Sequence, residues 1–215
     1  MLVKPEVVVA VAALLIYLVW AALAFGLRTL VQWRRTGDTG WRGGGMTAGS
    51  LQWWARVVFT GALLLGAAGP VAALAGLPAV DFLNHGAVRV AGVVAAVAGV
   101  VATSAAQGSM GASWRIGVRE SERTELVTGG AFALARNPIF TAMIVTAGGL
   151  ALMVPNVVSL AGFATTVAAI QLQVRAVEEP YLRRAHPAAY LDYAARVGRF
   201  LPGLGRLPRS PSERR

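Results

Sequence analysis

Cysteine is absent from this chain, histidine occurs twice, and only ten residues are acidic. Without cysteine there is no disulfide scaffold, no thiolate metal site and no cysteine nucleophile, although nothing follows about compartment. His85 and His186 stand far apart with no carboxylate cluster beside either, so no metal site is expected. Charge is scarce too: 14% of residues are charged, against about 25% in ordinary soluble domains. The remainder is 56% hydrophobic with a mean hydropathy of +0.59. So few charges leave a soluble surface poorly covered, and the bilayer is the expected solvent. The deficit of acids leaves a net charge of +10. That alone would suggest a nucleic-acid partner, but the basic residues lie between apolar runs, so none is expected.

What is present is a series of long apolar stretches. Val7 to about Val31 contains one charge, Arg28, and about 20 residues suffice to cross about 30 Å of hydrocarbon. Leu51 to Gly76, interrupted by Pro70, and Ala87 to Ala106, with one early Arg89, supply two more spans. Ile139 to Val154 and Val157 to Val174 are shorter runs separated by Pro155-Asn156, which predicts a tight hairpin. The expected fold is all-α, a polytopic helical bundle of about five transmembrane helices ending in a hairpin and an amphipathic helix. Eighteen of the twenty basic residues fall on one side of this arrangement, leaving only Lys4 and Arg89 opposite. The positive-inside rule then places the N-terminus outside and the C-terminus in the cytoplasm, with a bacterial inner membrane the expected location.

Spacings such as Gly61, Leu65, Gly69 and Gly92, Ala96 read as small residues that let helices approach closely. Trp33, Trp41, Trp53, Trp54 and Trp114 fall on the basic flank, as in an aromatic belt. Three regions are expected: 1–106 as a three-span bundle, 107–202 as motif-bearing segments around the hairpin, and 203–215 as a basic, poorly ordered tail.

The chemistry-bearing residues lie between Met110 and Pro202. In Arg136-Asn137-Pro138, asparagine suits an N-cap and proline the first helical position, and the free amides of such a start also suit a carboxylate or other anion. Glu178 and Glu179 have Arg175 and Arg183 at helical spacing, which predicts exposed ion pairs. Against that stands their place at the end of a membrane hairpin, where charge needs a partner or a ligand. After Pro180, a good helix-initiating residue, Leu182, Ala185, Ala189, Tyr190, Tyr193 and Val197 follow helical spacing. They predict an amphipathic helix lying on the membrane or capping the hairpin.

Read in order, Leu126-Val127-Thr128-Gly129-Gly130, Arg136-Asn137-Pro138-Ile139-Phe140, Glu178-Glu179, Tyr190-Leu191-Asp192-Tyr193 and Arg199-Phe200-Leu201-Pro202 resemble the isoprenylcysteine carboxyl methyltransferase family, integral membrane enzymes related to phospholipid methyltransferases. The resemblance covers about 110–202. It implies S-adenosylmethionine as cofactor in a cytoplasm-facing cavity and a lipid or small hydrophobic acceptor arriving from the bilayer. It further implies a cofactor site made by Thr124, Glu125, Leu126, Val127, Phe132, Arg136, Asn137, Pro138, Ile139, Phe140 and Glu178, with Arg175 and Glu179 as the catalytic pair. Arg175 would orient an anionic acceptor. Two positions depart from the family pattern: Asn137 stands where the family has histidine and Phe140 where it has tyrosine. Hydrogen bonding to a cofactor survives those changes better than proton transfer does. A membrane reductase using NADPH is the competing enzyme reading, and a Gly-rich scaffold the non-enzymatic one; parallel titration with NADPH and S-adenosylmethionine separates the two enzymes. The acceptor and the oligomeric state are not legible in the sequence.

Overall fold

The structure is a computed structural model that describes residues 4–42, 47–115, 117 and 125–208. Among these, all regular structure is helical. Helix α1 spans Pro5–Thr36, α2 Leu51–Leu74, α3 Gly86–Ser109, α4 Pro138–Met153, α5 Val157–Ala185 and α6 Pro187–Arg196. Four of them, α1, α2, α3 and α5, are long and apolar enough to cross a membrane. The fifth expected span is α4, whose 16 residues rise only about 24 Å. It is shielded from the bilayer on several sides because α3 packs along it and α5 returns beside it.

Helix packing follows the small residues. A Cβ on Gly149 would come within 2.3 Å of the Ala96 backbone nitrogen, and one on Gly99 within 2.6 Å of the Thr146 nitrogen. The α3–α4 crossing therefore depends on backbones in direct contact, as expected where lipid removes the hydrophobic drive and close packing must hold helices together. Across the bundle, Gly162 meets Leu65 and Gly69 meets Ser159, joining α5 to α2. Gly61, expected in the same stripe, has nothing within 4 Å of its Cβ position.

Polar bonds secure both ends of the bundle. Asn156 caps α5 by accepting from Ser159 N (2.9 Å) and donates to Gly69 O (2.9 Å) while 1% exposed. In α1, residues Ala22–Leu27 form a π-helical turn, which leaves a carbonyl outside the regular ladder. Gln107 of α3 donates to Ala24 O at 3.0 Å, supplying a buried partner there. One turn on, Arg28 donates to Gly111 O and stacks 5.0 Å from the Trp114 ring. Trp114 is 3% exposed, so it belongs to this contact and not to an aromatic belt, unlike Trp33, Trp41 and Trp54, each about half exposed.

The hairpin departs from expectation at Pro180, which does not start a new helix. A second π turn, Gln173–Glu178, precedes it and α5 runs on to Ala185. The wider turn accommodates the proline, which cannot donate to the ladder and crowds the preceding turn. The break comes instead at His186, whose backbone (φ −135°, ψ 64°) is held out of the α region before Pro187. Helix α6 then turns Tyr190, Tyr193 and Ala194 inward onto Leu126, Leu182, Val197 and Leu207, so it caps the bundle.

Candidate active site

Antiparallel packing brings the ends of α1, α3 and α5 and the starts of α2 and α4 to one end of the bundle. A cavity of about 380 Å³ opens there. Its wall is drawn from the segment 125–132, the start of α4, the π turn of α5, and α6. Of the thirteen residues expected at the site, Glu125, Leu126, Val127, Phe132, Arg136, Asn137, Pro138, Ile139, Phe140, Glu178 and Glu179 all line this cavity. Thr124 lies outside the described residues. Arg175 does not line the cavity: it is exposed and donates through Nε to Gln171 Oε1 (2.7 Å), one turn back along α5. Arg175, expected to orient an acceptor, thus stands apart from the other expected site residues, on the outer face of the helix.

Glu178 and Glu179 are adjacent in sequence and occupy different environments. Neither makes the exposed ion pair with Arg175 or Arg183 that helical spacing predicts. Glu179 is 5% exposed and clamped between two arginines: Arg136 Nη2 donates to Oε1 at 3.0 Å, Arg199 Nε to Oε1 at 2.7 Å, and Arg199 Nη2 to Oε2 at 2.9 Å. Both carboxylate oxygens thereby accept from arginines, and Glu179, expected as a catalytic residue, stands in the cavity wall as an anchor between them. The Glu179 carboxylate in turn holds the Arg199 guanidinium above its ordinary pKa. Glu178 accepts a single hydrogen bond, from Gln173 Nε2 at 3.1 Å, and makes no ion pair among the described residues. The π turn contributes to the difference between the neighbours, because it changes the angular step along the helix and presents both side chains near the cavity.

Arg136 is likewise a fastener. Besides Glu179 it donates to the carbonyls of Ala194 (2.9 Å), Val197 (2.9 Å) and Gly205 (3.1 Å). The segment after α6 is stitched beside it: Arg136 N bonds Gly198 O, Asn137 N and Nδ2 bond Arg199 O, and Thr141 Oγ1 bonds Phe200 O. Asn137 thus occupies the N-cap position of α4 without capping through its side chain. Residues 203–208, expected in a loose tail, share in this clamp through Leu204, Gly205 and Leu207; residues 209–215 lie outside the described residues. A salt-bridged triad joining 136, 179 and 199 is the feature sequence reading missed. The motif order Arg136, Glu179, Arg199 carried the signal, but nothing local pairs residues separated by 43 and 20 positions.

The start of α4 keeps two donors available. Pro138 has no N–H, and the first intrahelical bond is Thr141 N to Asn137 O, so the amides of Ile139 and Phe140 precede the ladder. On the opposite wall, Tyr193 donates through its hydroxyl to Phe132 O (2.6 Å) and Tyr190 packs beside Arg136. Burial pushes both phenols up to about 12, with the Glu179 charge adding to the effect on Tyr190.

Further lining comes from Trp114 and Arg115 after α3 and, unanticipated, from Phe25 of α1, Trp41 and Arg42 after it, and Gln52, Arg56, Phe59, Thr60 and Leu63 of α2.

Residues 87–189 match the family model described as phospholipid methyltransferase. Over 87 residues the chain is 30% identical to Protein-S-isoprenylcysteine O-methyltransferase B of Arabidopsis thaliana, covering 40% of this chain and 44% of the plant protein. The chain therefore matches less than half the length of that relative. No solved structure matches it.

Proposed function

We propose that this chain, whose residues 87–189 match the phospholipid methyltransferase family model, transfers a methyl group from S-adenosylmethionine to a lipophilic, membrane-embedded acceptor at the cytoplasmic face. The observation that carries the reading is convergence. Segments 125–132, 136–140 and 173–179, far apart in sequence, line one cavity whose volume falls in the range of small-molecule sites.

The lining suits this cofactor. The unused amides of Ile139 and Phe140 at the start of α4 offer a carboxylate the positive end of a helix. Glu178 offers an acceptor to amino or hydroxyl hydrogens, with no cation bonded to it among the described residues. Leu126, Val127, Phe132 and Phe140 offer apolar and aromatic surface. When bound, S-adenosylmethionine supplies an electrophilic methyl group on a sulfonium centre. The chain's own part is to hold the reacting groups in line and exclude water. Arg136, Glu179 and Arg199 serve as positioning residues in this reading: they fix α4, α5 and the segment after α6 around the cavity. The cytoplasmic assignment rests on the basic residues gathered at the cavity end.

The test is calorimetry of the full chain in detergent with S-adenosylmethionine, alongside incubation of its membranes with the methyl-labelled compound and mass spectrometry of the product. Binding, weakened about tenfold or more in Glu178→Gln, and label in a lipophilic product are expected. No binding by the wild type and no labelled product would overturn the reading.

A further inference from the structure

After α6 the chain runs down the first turn of α4. Arg136 N donates to Gly198 O at 2.8 Å, Asn137 N to Arg199 O at 3.0 Å and Thr141 Oγ1 to Phe200 O at 2.7 Å. Successive residues of this segment thus pair with positions progressively further along α4. From Pro138 to Thr141 the helix rises about 4.5 Å, so Phe200 lies close to one turn inside the start of α4. Its ring packs against the cluster of Met143, Ile170 and Val174 in the bundle interior. The return is short: Arg199 N donates to Leu204 O at 2.7 Å, Leu204 N to Leu201 O at 3.2 Å, and Arg136 Nη2 to Gly205 O at 3.1 Å. The segment is a narrow loop that descends beside α4 and comes back, with Leu201-Pro202-Gly203-Leu204 at its tip.

That tip is apolar and uncovered. Leu201 is 51% exposed and Leu204 64%, and Leu134, next to the bridge between Ala135 and Gly198, is 66% exposed. The loop is held in this shape: a Cβ on Gly198 would stand 2.1 Å from Leu201 O and 2.7 Å from Leu204 O, and Gly203 and Gly205 sit at φ +77° and +75°. The leucines are therefore presented by a bonded turn, at the depth where α4 begins. Arg206 flanks them. It is exposed, its Nη2 would lie 3.8 Å from a Cβ on Gly203, and it makes no ion pair among the described residues. Apolar side chains with a cation just behind them match a leaflet, with acyl chains below and phosphates above.

We propose that residues 198–206 form an interfacial wedge: Leu201 and Leu204, with Leu134 beside them, enter the leaflet at the cavity end of the bundle, and Arg206 pairs with a lipid phosphate. The partner is the phospholipid surface, and this turn, not the capping helix α6, makes the contact. The proposal does not depend on the methyl-transfer reading. Since Arg199, which clamps Glu179, immediately precedes Phe200, the wedge supports the clamp from the membrane side.

The full chain contains no cysteine, so Leu201→Cys, Leu204→Cys and Asp192→Cys each give one thiol for an environment-sensitive fluorophore. Asp192, exposed on α6, is the water reference. In phosphatidylcholine nanodiscs the label is quenched either by lipids spin-labelled near the headgroup end of the acyl chain or by iodide in the water. The ratio of lipid to iodide quenching at 201 and 204 is expected to exceed that at 192 about threefold or more, because an ion is excluded from hydrocarbon. Adding Arg206→Glu to Leu204→Cys lowers the ratio about twofold or more, since a carboxylate is repelled by lipid phosphate; Arg206→Lys leaves it unchanged. Ratios at 201 and 204 equal to that at 192 would overturn the wedge. Protection from both quenchers would mark a protein cover, a second copy or another chain, and would overturn the lipid assignment. An unchanged ratio with Arg206→Glu would overturn the phosphate contact.

Discussion

Replacing Glu179 by glutamine tests whether the two adjacent glutamates divide anchoring from ligand binding. The substitution keeps the shape but removes the charge between Arg136, whose side chain is 2% exposed, and Arg199, whose side chain is 18% exposed. One amide oxygen can still accept from Arg136 Nη2 and Arg199 Nε. The new amide nitrogen then faces Arg199 Nη2, donor against donor, where the carboxylate accepted at 2.9 Å. Two cations are left close together with no counter-charge. Removing one member of a buried ion pair costs about 3–5 kcal/mol, and for a chain of this size each kcal/mol lowers the melting temperature by about 2–4 °C. The expected fall is therefore about 6–20 °C, read as irreversible thermal inactivation or by a thermal-shift assay at one fixed heating rate. Limited proteolysis supplies the local readout, with cleavage within 198–207 accelerating as the carbonyls of Ala194, Val197 and Gly205 lose their grip on Arg136. Glu178→Gln is the paired control: with one hydrogen bond, from Gln173, it shifts melting by no more than about one kcal/mol equivalent and acts on cofactor affinity. Adding Arg199→Gln to Glu179→Gln restores part of the lost stability, since it removes one stranded cation. A wild-type melting temperature for Glu179→Gln, or a larger loss for Glu178→Gln, would refute the division of labour.

Two further outcomes follow from packing and burial. Gly149→Ala places a methyl group 2.3 Å from the Ala96 nitrogen and 2.7 Å from Gly92 O, both backbone, so α3 and α4 must separate; a loss of about 1–3 kcal/mol is expected, against none for Gly61→Ala, where the space is open, and equal melting temperatures for the two would contradict the crossing. Tyr190 and Tyr193 have folded pKa values raised to about 12 from the ordinary value of 10: the stability they contribute is complete below pH 10 and is lost as pH rises through 12, because the unfolded chain ionises first. Melting measured from pH 8 to 12 should fall above pH 10, less steeply in Tyr190→Phe; a flat profile would show that the phenols titrate normally.

Much of the site was legible because its chemistry is local in sequence. The segments Glu125-Leu126-Val127, Arg136 to Phe140 and Glu178-Glu179 all reach the cavity wall, and an antiparallel hairpin alone brings the start of α4 level with the end of α5. Two kinds of feature were not legible. Arg175 and Glu178 differ by three positions, and on a regular helix they share a face; the π turn between Gln173 and Glu178 alters that angular relation, and hydropathy carries no trace of it. The triad of Arg136, Glu179 and Arg199 joins a helix start, a helix end and a post-helical loop, and no periodicity links them. Pro180 misled for a related reason: proline marks a helix start in a regular ladder, but after a wide turn it continues the same helix.

The amino-acid sequence by itself determined the solvent, the all-helical architecture and the end of the bundle where polar chemistry gathers. Those depend on sums over long windows, and 56% apolar residues with eighteen of twenty basic residues on one flank admit few alternatives. Only the tertiary structure decided which of the two lining carboxylates is clamped by arginines and which makes no ion pair among the described residues, and that α2 contributes to the cavity wall. Those depend on side-chain direction within one turn and on which helices adjoin, and both are settled by contacts between residues far apart in the chain.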